Sequence, residues 1–599
     1  MRPGKMIQRW IVLAGEEAGP ESNKMGGIWD VIDAEAKTLA RLASAGKIDK
    51  DIRILVAGPY YPTQGLDWNK GKNRMTDISN CEKLNFGPEL DSALSMLSSE
   101  GIETATCQTE VNGFPVGYIL FNTSYYQSRM TSWRDLSMTL NNAIKTEAYE
   151  LVGLDSIKFE RPQNGGEYTH YLELSYAVSE LVRALSRLSE EATGKYKDEA
   201  VSEFAKALMP KVRVSLHCHE FGVFYSAARL KKLGVPVRVI ATLHATVPGR
   251  TAGYRSLDKI ARGDSSMDPG TPMNFVALEA LARYADVVTF VGDSTMKEAM
   301  LFHSLKGIII RNGIDLESNE IDWAKKVRCR TRIQKFLADN IYKYCGGTCV
   351  NPNYILPIFT ISRIEVENKG YPQLLDALVF HDHILKHRII GQRHADGTKV
   401  VCFLITAHGP KSKDKLPEGF PINLTKEVLV WDEIRLENMI EERKLEHGEL
   451  TAGKRDVAAI LYPQWVGPED GGLGMKADEI MAGCIAGIFP SQYEPFLLTA
   501  LEAGREGTPS IVSRSAGFSD ALKKINHRVP GLGGVIIVDN IDALPSETIL
   551  DYALAMDYFT WTYMEDEVKY TLLCEESFSL AKQFGWEEPV LEYYRNMVV

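Results

Sequence analysis

Two glutamates at a predicted helix start are the strongest sign of chemistry in this sequence. Glu494 precedes Pro495, a residue suited to open a helix, and Glu502 follows Glu494 by eight positions. The first-turn amides of that helix, including those of Leu498 and Thr499, lack intrahelical partners and therefore suit a diphosphate. Glu494 could accept hydrogen bonds from sugar hydroxyls, and Glu502 could reach a ribose. The pattern favours a nucleotide-sugar site over an amphipathic helix with solvated carboxylates.

Two cations follow a predicted strand in the same half of the chain. Arg363 and Lys369 are six positions apart, the first at the strand end and the second in the loop before a helix. Both could converge on one dianion and neutralise a departing diphosphate, where charge develops when a glycosyl bond breaks. A surface loop with two solvated cations would show the same spacing, so this motif alone leaves both interpretations open.

A glycine pair follows the first predicted strand. Gly26 and Gly27 would let the backbone approach a phosphate closely, and Lys24 would add a positive charge. A lone Gly-Gly pair is a weak indication, because any tight loop can carry one. The segment is a candidate phosphate contact that needs support from the rest of the chain.

Histidines cluster after two predicted strands of the first half. His217, His219 and Glu220 lie within one short segment, and His244 follows the next strand. Such residues could suggest a metal site, but His217 and His219 alternate on a strand, so we expect their rings to point in opposite directions. No second acidic ligand is evident in the sequence. We therefore predict no metal site and, for His217, a buried histidine with satisfied hydrogen bonds.

Short apolar runs alternate with amphipathic segments, which indicates parallel sheets with helices on both faces. The predicted strands of the first half are Ile11–Ala14, Ile52–Ala57, Gly117–Phe121, Val212–His217, Val237–Thr242 and Asp286–Phe290. Those of the second half are Ile358–Ile361, Val400–Thr406, Gly487–Phe489, Ser510–Ser513 and Gly534–Val538. The predicted fold class is α/β, with two Rossmann-like, doubly wound domains facing a cleft and ligands at the carboxyl ends of the strands.

The length of 599 residues is too great for one hydrophobic core. We place the first domain at residues 1–315 and the second at residues 316–575. Residues 408–474 are rich in Lys, Pro, Glu and Gly, and we interpret them as an insertion that carries one charged helix at about Glu433–Leu445. Residues 576–599 are expected to return to the first domain.

Several of these motifs together resemble a known family. The glutamate motif and the proline that follows it are similar to the signature of retaining glycosyltransferases of the GT-B fold, which have two Rossmann-like domains. The resemblance is most specific to the glycogen synthases of animals and fungi. The segments that carry it are Thr242–Thr246, Glu494–Glu502, Gly507–Pro509 and Ser515–Phe518.

The resemblance implies roles for individual residues. Arg363 and Lys369 would hold the leaving diphosphate, while Glu494 and His219 would position the transferred sugar. The residues implied in donor binding are Lys24, Gly26, Gly27, His244, Tyr493, Leu498, Thr499 and Glu502. The resemblance implies no metal and no other cofactor, because the nucleotide-sugar donor is itself a substrate.

The sequence departs from the family pattern at three places. Ala477 falls near the position of a tyrosine that stacks on uracil in glycogen synthases, which leaves the nucleotide base open. Leu497 replaces a residue that is glycine in many relatives and adds a side chain close to the expected phosphates. Residues 564–586 contain Lys569 and Lys582 but five acidic residues, where the family has an arginine-rich helix that binds glucose 6-phosphate. We predict no activation by glucose 6-phosphate.

Composition excludes some classes of partner. A formal net charge of −11 argues against a general nucleic-acid or anionic-membrane binder. No apolar run approaches the roughly 18 residues of a membrane helix. The nine cysteines are scattered, and Cys345 and Cys349 favour packing over a zinc site. A cytoplasmic protein is expected, with a homo-oligomer left open.

The function predicted from these features is glycogen synthase-like. The protein would move glucose from a nucleotide diphosphate-glucose, with UDP-glucose as the first choice, to the non-reducing end of an α-1,4-glucan with retention. Its partners would be the nucleotide sugar and the α-glucan acceptor. The alternatives are a retaining transferase with another acceptor, a nucleotide-sugar epimerase on the same fold, and a catalytically inactive glucan-binding paralogue.

Overall fold

The computed structural model describes most of the chain. The described residues are 9–62, 65–66, 73–160, 165–194, 214–316, 318–341, 351–387, 397–406, 415–447, 449, 454–524 and 534–598. The predictions for Cys345 and Cys349, and parts of the predicted insertion, lie outside these residues. None of the helices in the described part combines the length and the apolar character needed to cross a membrane.

The strands are, in chain order, β1 (Arg9–Gly15), β2 (Ile52–Pro59), β3 (Gly65–Leu66), β4 (Asn73–Arg74), β5 (Glu103–Val111), β6 (Phe114–Asn122), β7 (Met130–Trp133), β8 (Leu136–Thr139), β9 (Val214–His219), β10 (Arg238–Leu243), β11 (Val287–Phe290), β12 (Ile308–Ile309), β13 (Ile355–Ser362), β14 (Lys399–Thr406), β15 (Val457–Tyr462), β16 (Ala486–Phe489), β17 (Ser510–Ser513) and β18 (Val535–Val538).

The helices are α1 (Gly27–Ser44), α2 (Pro88–Glu100), α3 (Leu140–Val152), α4 (Ser156–Phe159), α5 (Gly165–Gly194), α6 (Phe224–Lys232), α7 (Val247–Ala252), α8 (Ser256–Arg262), α9 (Met273–Glu279), α10 (Asp293–His303), α11 (Trp323–Asn340), α12 (Tyr371–Lys386), α13 (Trp431–Glu442), α14 (Ala477–Gly483), α15 (Leu498–Arg505), α16 (Gly517–Lys524), α17 (Pro545–Glu565), α18 (Glu567–Ala581) and α19 (Glu587–Val598).

The chain divides into two compact units. The first contains Met1–Ala252, Lys259–Gly313 and Trp586–Val599, and the second contains Gly253–Asp258 and Ile314–Gly585. The return to the first unit therefore begins at Trp586, later than the predicted residue 576. The physical reason is that α18 packs along α15 of the second unit, so only α19 joins the first.

The first unit is built on an eight-stranded sheet with the order β12-β11-β10-β9-β1-β2-β6-β5. All neighbours are parallel except β5 and β6, which form an antiparallel pair at one edge. The central strands are apolar and buried on both faces, as in β1, where the neighbours Trp10 and Ile11 are both fully buried. Helices pack on the sheet and complete one continuous core.

The second unit is built on a six-stranded parallel sheet with the order β15-β14-β13-β16-β17-β18. The strands are again apolar and buried, and α12, α17 and α18 supply much of the facing core. The predicted α/β architecture with parallel sheets is confirmed.

Seven strands of the described part of the chain were not predicted from the sequence: β3, β4, β5, β7, β8, β12 and β15. The structure corrects the prediction of an insertion at residues 408–474, because β15 lies inside that range and pairs with β14 as an integral edge strand. The charged helix predicted there is found as α13. The missed strand β5 has exposed and polar positions that hide its strand pattern in the sequence.

Each sheet has a topological switch point. At this point the chain, after adding strands on one side of a central strand, continues on its other side. In the first unit it lies between β1 and β9, and in the second it lies between β13 and β16. Ligands of open α/β sheets bind beyond the carboxyl ends of the strands at such points. The loops that follow these four strands are therefore the places to look for chemistry.

Candidate active site

An ion pair occupies the switch point of the second unit. Lys369 lies in the loop after β13, and Glu494 lies in the loop after β16. The Lys369 ammonium is 2.5 Å from Glu494 Oε2, and the two side chains are only 10% and 19% exposed. The structure thus brings together two residues that sequence analysis assigned to one site.

Backbone contacts fix the two loops against each other. The carbonyl oxygen of Asn368 accepts hydrogen bonds from the amides of Gln492, at 2.7 Å, and Tyr493, at 3.2 Å. Gly370 has a φ of +69°, and a Cβ there would lie 2.0 Å from the carbonyl oxygen of Pro490. Only glycine fits this position, which explains why Lys369 is followed by a glycine.

A third loop, after β17, holds the Glu494 segment from the other side. The amide of Gly517 donates to the carbonyl oxygen of Glu494 at 3.0 Å, and the amide of Phe518 donates to that of Phe496 at 2.7 Å. A Cβ on Gly517 would lie 2.0 Å from the carbonyl oxygen of Pro495. The backbone of Glu494 is therefore held on two sides.

The helix predicted after Pro495 begins at Leu498 and is α15. Leu497 is the N-cap residue of this helix, with φ +91° and ψ 64°. This is a left-handed conformation that residues other than glycine rarely adopt. Leu498, Thr499 and Glu502 are partly buried along this helix. The helix start follows Glu494 by four positions, so it is close in sequence to the carboxylate of the ion pair.

Arg363 follows β13 directly, and its side chain is 48% exposed. Its guanidinium lies 3.4 Å from Glu365. Tyr493 is buried beside the ion pair. The Arg363 guanidinium contacts the carboxylate of Glu365 and not that of Glu494. A role of Arg363 in binding a diphosphate therefore stays a prediction.

Three of the predicted residues meet in the first unit, at its switch point. His217 and His219 lie on β9, and their rings lie on the same side, 4.0 Å apart between centroids and tilted by 38° to each other. The expectation that they point in opposite directions is wrong, because residues two apart on a strand share a face. Both rings contact Glu35 of α1, which sequence analysis missed.

Hydrogen bonds link this group to the next strand. His217 Nδ1 is 2.8 Å from Glu35 Oε1, and His217 Nε2 is 2.6 Å from the hydroxyl of Thr242. His219 Nε2 is 3.3 Å from Glu35 Oε2, and His219 Nδ1 is 3.1 Å from His244 Nε2. His217 is thus buried with both nitrogens engaged, as predicted from the sequence.

Burial and charge shift the pKa values in this group. Burial opposes ionisation of Glu35, but the neighbouring histidines, His217 most strongly, outweigh it and lower the pKa of Glu35 to about 2. Burial, together with the charge of His217, lowers the pKa of His219 to about 4. Burial also lowers the pKa of His244 well below its usual value. Near neutral pH, Glu35 is therefore ionised and His219 and His244 are neutral.

Glu35, His217 and His219 are also the group in the described part of the chain that could hold a metal ion. Their potential ligand atoms all lie within 4.8 Å of one another. In this structure His217 Nδ1 and His219 Nε2 lie 2.8 and 3.3 Å from the Glu35 carboxylate.

The glycine loop of the first unit is arranged differently from the prediction. The amides of Gly26 and Trp29, at the start of α1, donate to Glu17 Oε2 at 2.8 and 3.1 Å. Lys24 pairs with Asp30 at 2.6 Å. In this structure an internal carboxylate accepts these amides, and the phosphate role of Lys24, Gly26 and Gly27 stays a prediction. The signal available in the sequence was the acidic run that follows β1.

Glu220 is a further residue that sequence analysis did not assign. It has φ +66° and ψ 165°, a conformation of non-glycine residues that costs roughly 1–3 kcal/mol. Its buried carboxylate accepts the amides of His244 and Ala245, each at 2.9 Å. Burial raises the pKa of Glu220 to about 7. A strained, buried acid beside His219 makes this edge of the sheet a candidate functional site.

Known proteins resemble this chain over most of its length. Human liver glycogen [starch] synthase is 23% identical over 603 residues, which cover 90% of this chain and 76% of the human protein. Glycogen [starch] synthase isoform 1 of Saccharomyces cerevisiae is 22% identical and covers 97% of this chain and 85% of the yeast protein. No protein-family model matches the chain.

A solved structure shares the fold. The catalytic domain of starch synthase IV from Arabidopsis thaliana, determined with ADP and acarbose, has a TM-score of 0.52 and 16% sequence identity, with 98% of each chain covered. The predicted resemblance is confirmed: the chain is a homologue of the glycogen synthases of animals and yeast and has the GT-B fold.

Proposed function

We propose that this protein is a retaining glycosyltransferase that moves glucose from a nucleotide diphosphate-glucose to the non-reducing end of an α-1,4-glucan. UDP-glucose is the proposed donor. The observation that carries the proposal is the Lys369–Glu494 pair at the switch point of the second sheet, beside the start of α15. Its relationship to the glycogen synthases of animals and yeast supports the choice of donor and acceptor class.

The proposed chemistry needs positive charge where the donor bond breaks. The bond from the anomeric carbon to the phosphate oxygen breaks, and its electron pair stays on the diphosphate. The acceptor hydroxyl oxygen bonds to the same face of that carbon, and its proton passes to the leaving phosphate oxygen. Lys369 and the free amides at the start of α15 would stabilise the departing charge. Arg363 would supply a second cation.

Glu494 plays a different part in this proposal. Its carboxylate holds the Lys369 ammonium in place before the donor arrives, and its remaining lone pairs can accept hydrogen bonds from sugar hydroxyls. It is not half of a glycosidase pair, because a transferase needs no hydrolytic water. No metal is proposed, since a lysine and a helix start offer the charge that a metal would otherwise supply.

The decisive experiment is a donor screen with the purified full-length protein. Labelled UDP-, ADP- and GDP-glucose are each incubated with and without glycogen, and polymer incorporation is counted. Label in polymer, dependent on glycogen, supports the proposal and identifies the base that Ala477 leaves open. Donor conversion without glycogen would indicate the epimerase instead, and glycogen binding without any turnover would indicate the inactive paralogue.

Site variants make the screen specific. Lys369→Met and Glu494→Gln should each lower kcat by about 10²-fold or more, the usual cost of losing one charge-stabilising group. Arg435→Gln is the matched control, because Arg435 pairs with the exposed Glu367 in the same loop and should retain wild-type turnover. Equal turnover in Glu494→Gln and wild type would contradict the site assignment.

The setting of the protein is part of the proposal. The described cysteines are unpaired thiols, which suits a reducing cytoplasm. The oligomeric state stays a prediction.

A further inference from the structure

A chain of polar contacts crosses the interior of the first unit. It runs from Thr242 through His217, Glu35 and His219 to His244, with steps of 2.6, 2.8, 3.3 and 3.1 Å. Glu35, His217 and His219 are fully buried, and His244 is 7% exposed. A fixed carboxylate therefore lies in the middle of a row of histidines that ends at one slightly accessible ring.

The carboxylate fixes which nitrogen of the His219 ring carries the proton. An ionised Glu35 can only accept, so His217 Nδ1 and His219 Nε2 carry the protons that face it. A neutral His219 holds one ring proton, so its other nitrogen is an acceptor. His219 Nδ1 then accepts from His244 Nε2.

The last ring is left with one defined polar atom. Because His244 Nε2 donates to His219, the His244 Nδ1 carries a lone pair. We propose that Glu35 is a positioning residue which sets the tautomers of His219 and His244, so that His244 Nδ1 accepts a hydrogen bond from a sugar hydroxyl. The part of this inference that concerns the sugar hydroxyl rests on the proposed function, whereas the part that concerns the histidine tautomers is independent of it.

Burial makes this arrangement specific. Glu35 Oε2 and His219 Nε2 are buried, make no hydrogen bond with any described residue, and lie 3.3 Å from each other. An ionised carboxylate attracts an Nε2–H at this distance and repels an Nε2 lone pair, so the contact favours the proton on His219 Nε2. The rival occupant, a cation bound by the same atoms, would have to break the 2.8 Å contact between His217 and Glu35.

The first test reads the tautomers of the wild-type protein. Ring nitrogens of 15N-labelled histidine are assigned by the loss of signals in His217→Asn, His219→Asn and His244→Asn. The expected pattern is a proton on Nδ1 of His217 and on Nε2 of His219 and His244. A proton on Nδ1 of His244, or on Nδ1 of His219, overturns the proposal. So does a stoichiometric metal content in the purified protein, since that would make the group a metal site.

The second test removes the acceptor from both rings. In Glu35→Met no carboxylate remains to accept from His217 or His219, so neither ring tautomer is held. His244 should then lose its single Nε2–H signal, and the KM for the sugar donor should rise about tenfold with a smaller change in kcat. An unchanged His244 signal in Glu35→Met contradicts the inference even if turnover falls.

Two controls separate positioning from folding. Thr242→Val interrupts the row on the far side of His217 and should leave the His244 signal unchanged. Glu173→Gln changes another buried carboxylate of the same unit, one that accepts from Asn141, and should leave both the His244 signal and turnover unchanged. If no donor is turned over at all, the proposed function fails while the tautomer result still decides the role of Glu35.

Discussion

Lys369 and Glu494 stabilise each other, which separates their structural role from their proposed chemical one. Both side chains are mostly buried, so removing either leaves an uncompensated charge. Lys369→Met should lower the free energy of unfolding by roughly 3 kcal/mol, the low end for breaking a buried pair, because both side chains keep some exposure. The double variant Lys369→Met with Glu494→Gln should recover at least half of that loss, because no lone charge remains.

Urea unfolding of the two single variants and the double variant measures this coupling, and glucosyl transfer is measured on the same samples. Recovered stability without recovered turnover supports a catalytic pair. If the double variant is less stable than both single variants, the pair does not couple as the structure indicates.

Leu497 allows a second residue-scale prediction, because its φ of +91° strains any residue with a Cβ. Leu497→Gly and Leu497→Ala both lose the buried side chain, but only glycine relieves the strain. We expect Leu497→Gly to be the more stable of the two by about 1 kcal/mol, measured by urea unfolding.

The control is the same pair of changes at Leu501, which lies inside α15. There we expect the alanine variant to have a free energy of unfolding about 1 kcal/mol higher than the glycine variant. If Leu497→Ala were also more stable than Leu497→Gly, the left-handed conformation would not be strained in the protein. A lower KM for the donor in Leu497→Gly would add that the leucine crowds the phosphates.

At the scale of elements, the start of α1 depends on a side chain from outside the helix. Glu17 accepts the amides of Gly26 and Trp29, which would otherwise have no partner. Glu17→Ala should therefore lower the free energy of unfolding by about 1–2 kcal/mol, as loss of a helix cap does. Glu21→Ala is the control, because Glu21 is exposed in the same loop. Equal thermal midpoints for the two variants would contradict the capping role.

The prediction that glucose 6-phosphate does not activate the protein concerns α18 and the residues that follow it. Lys569 lies 4.8 Å from the ring centroid of Tyr558, and Lys582 Nζ donates to the carbonyl oxygen of Asn319 at 3.3 Å. Both lysines are thus engaged, and acidic residues surround them in the sequence. Adding glucose 6-phosphate to the transfer assay should leave the rate unchanged. A clear, saturable rise in rate would contradict this prediction.

Local pattern was enough to predict the elements whose residues are buried on both faces. Strands such as β1 and β16 are continuous apolar runs, so the sequence identifies them. The edge strand β15 is equally apolar but lies within a polar stretch, which hid it. Spacing along the chain also indicated Lys369 and Glu494, because each lies in the loop that follows a strand.

Long-range contacts were beyond the sequence pattern. Glu35 is 182 positions from His217, and only the pairing of β1 with β9 brings α1 beside the histidines. The shared direction of His217 and His219 was available from strand periodicity and was misjudged. The internal pairing of Glu17 with the glycine loop likewise depends on how the loop folds back, which no spacing records.

At the scale of the whole molecule, buried carboxylates make stability depend on pH in a defined direction. Burial raises the pKa of Glu173 to about 7, above the value near 4.5 that an exposed glutamate has. Between these two values the folded state keeps a proton that the unfolded state has lost. The contribution of Glu173 is therefore fully present below pH 4.5 and is lost as the pH rises towards 7 and above.

His219 acts in the opposite direction over part of this range, because its pKa is lowered to about 4 and its contribution grows as the pH rises from 4 to 6.5. The variant Glu173→Gln retains His219 and every other titratable group. The difference in free energy of unfolding between wild type and this variant therefore reports Glu173 alone. The wild type should lose on the order of 2 kcal/mol relative to Glu173→Gln between pH 4.5 and pH 8. Hydrogen exchange of the β9 amides at several pH values measures the difference within the first unit. Parallel curves for the two proteins would mean that Glu173 ionises in the folded state as easily as in the unfolded chain.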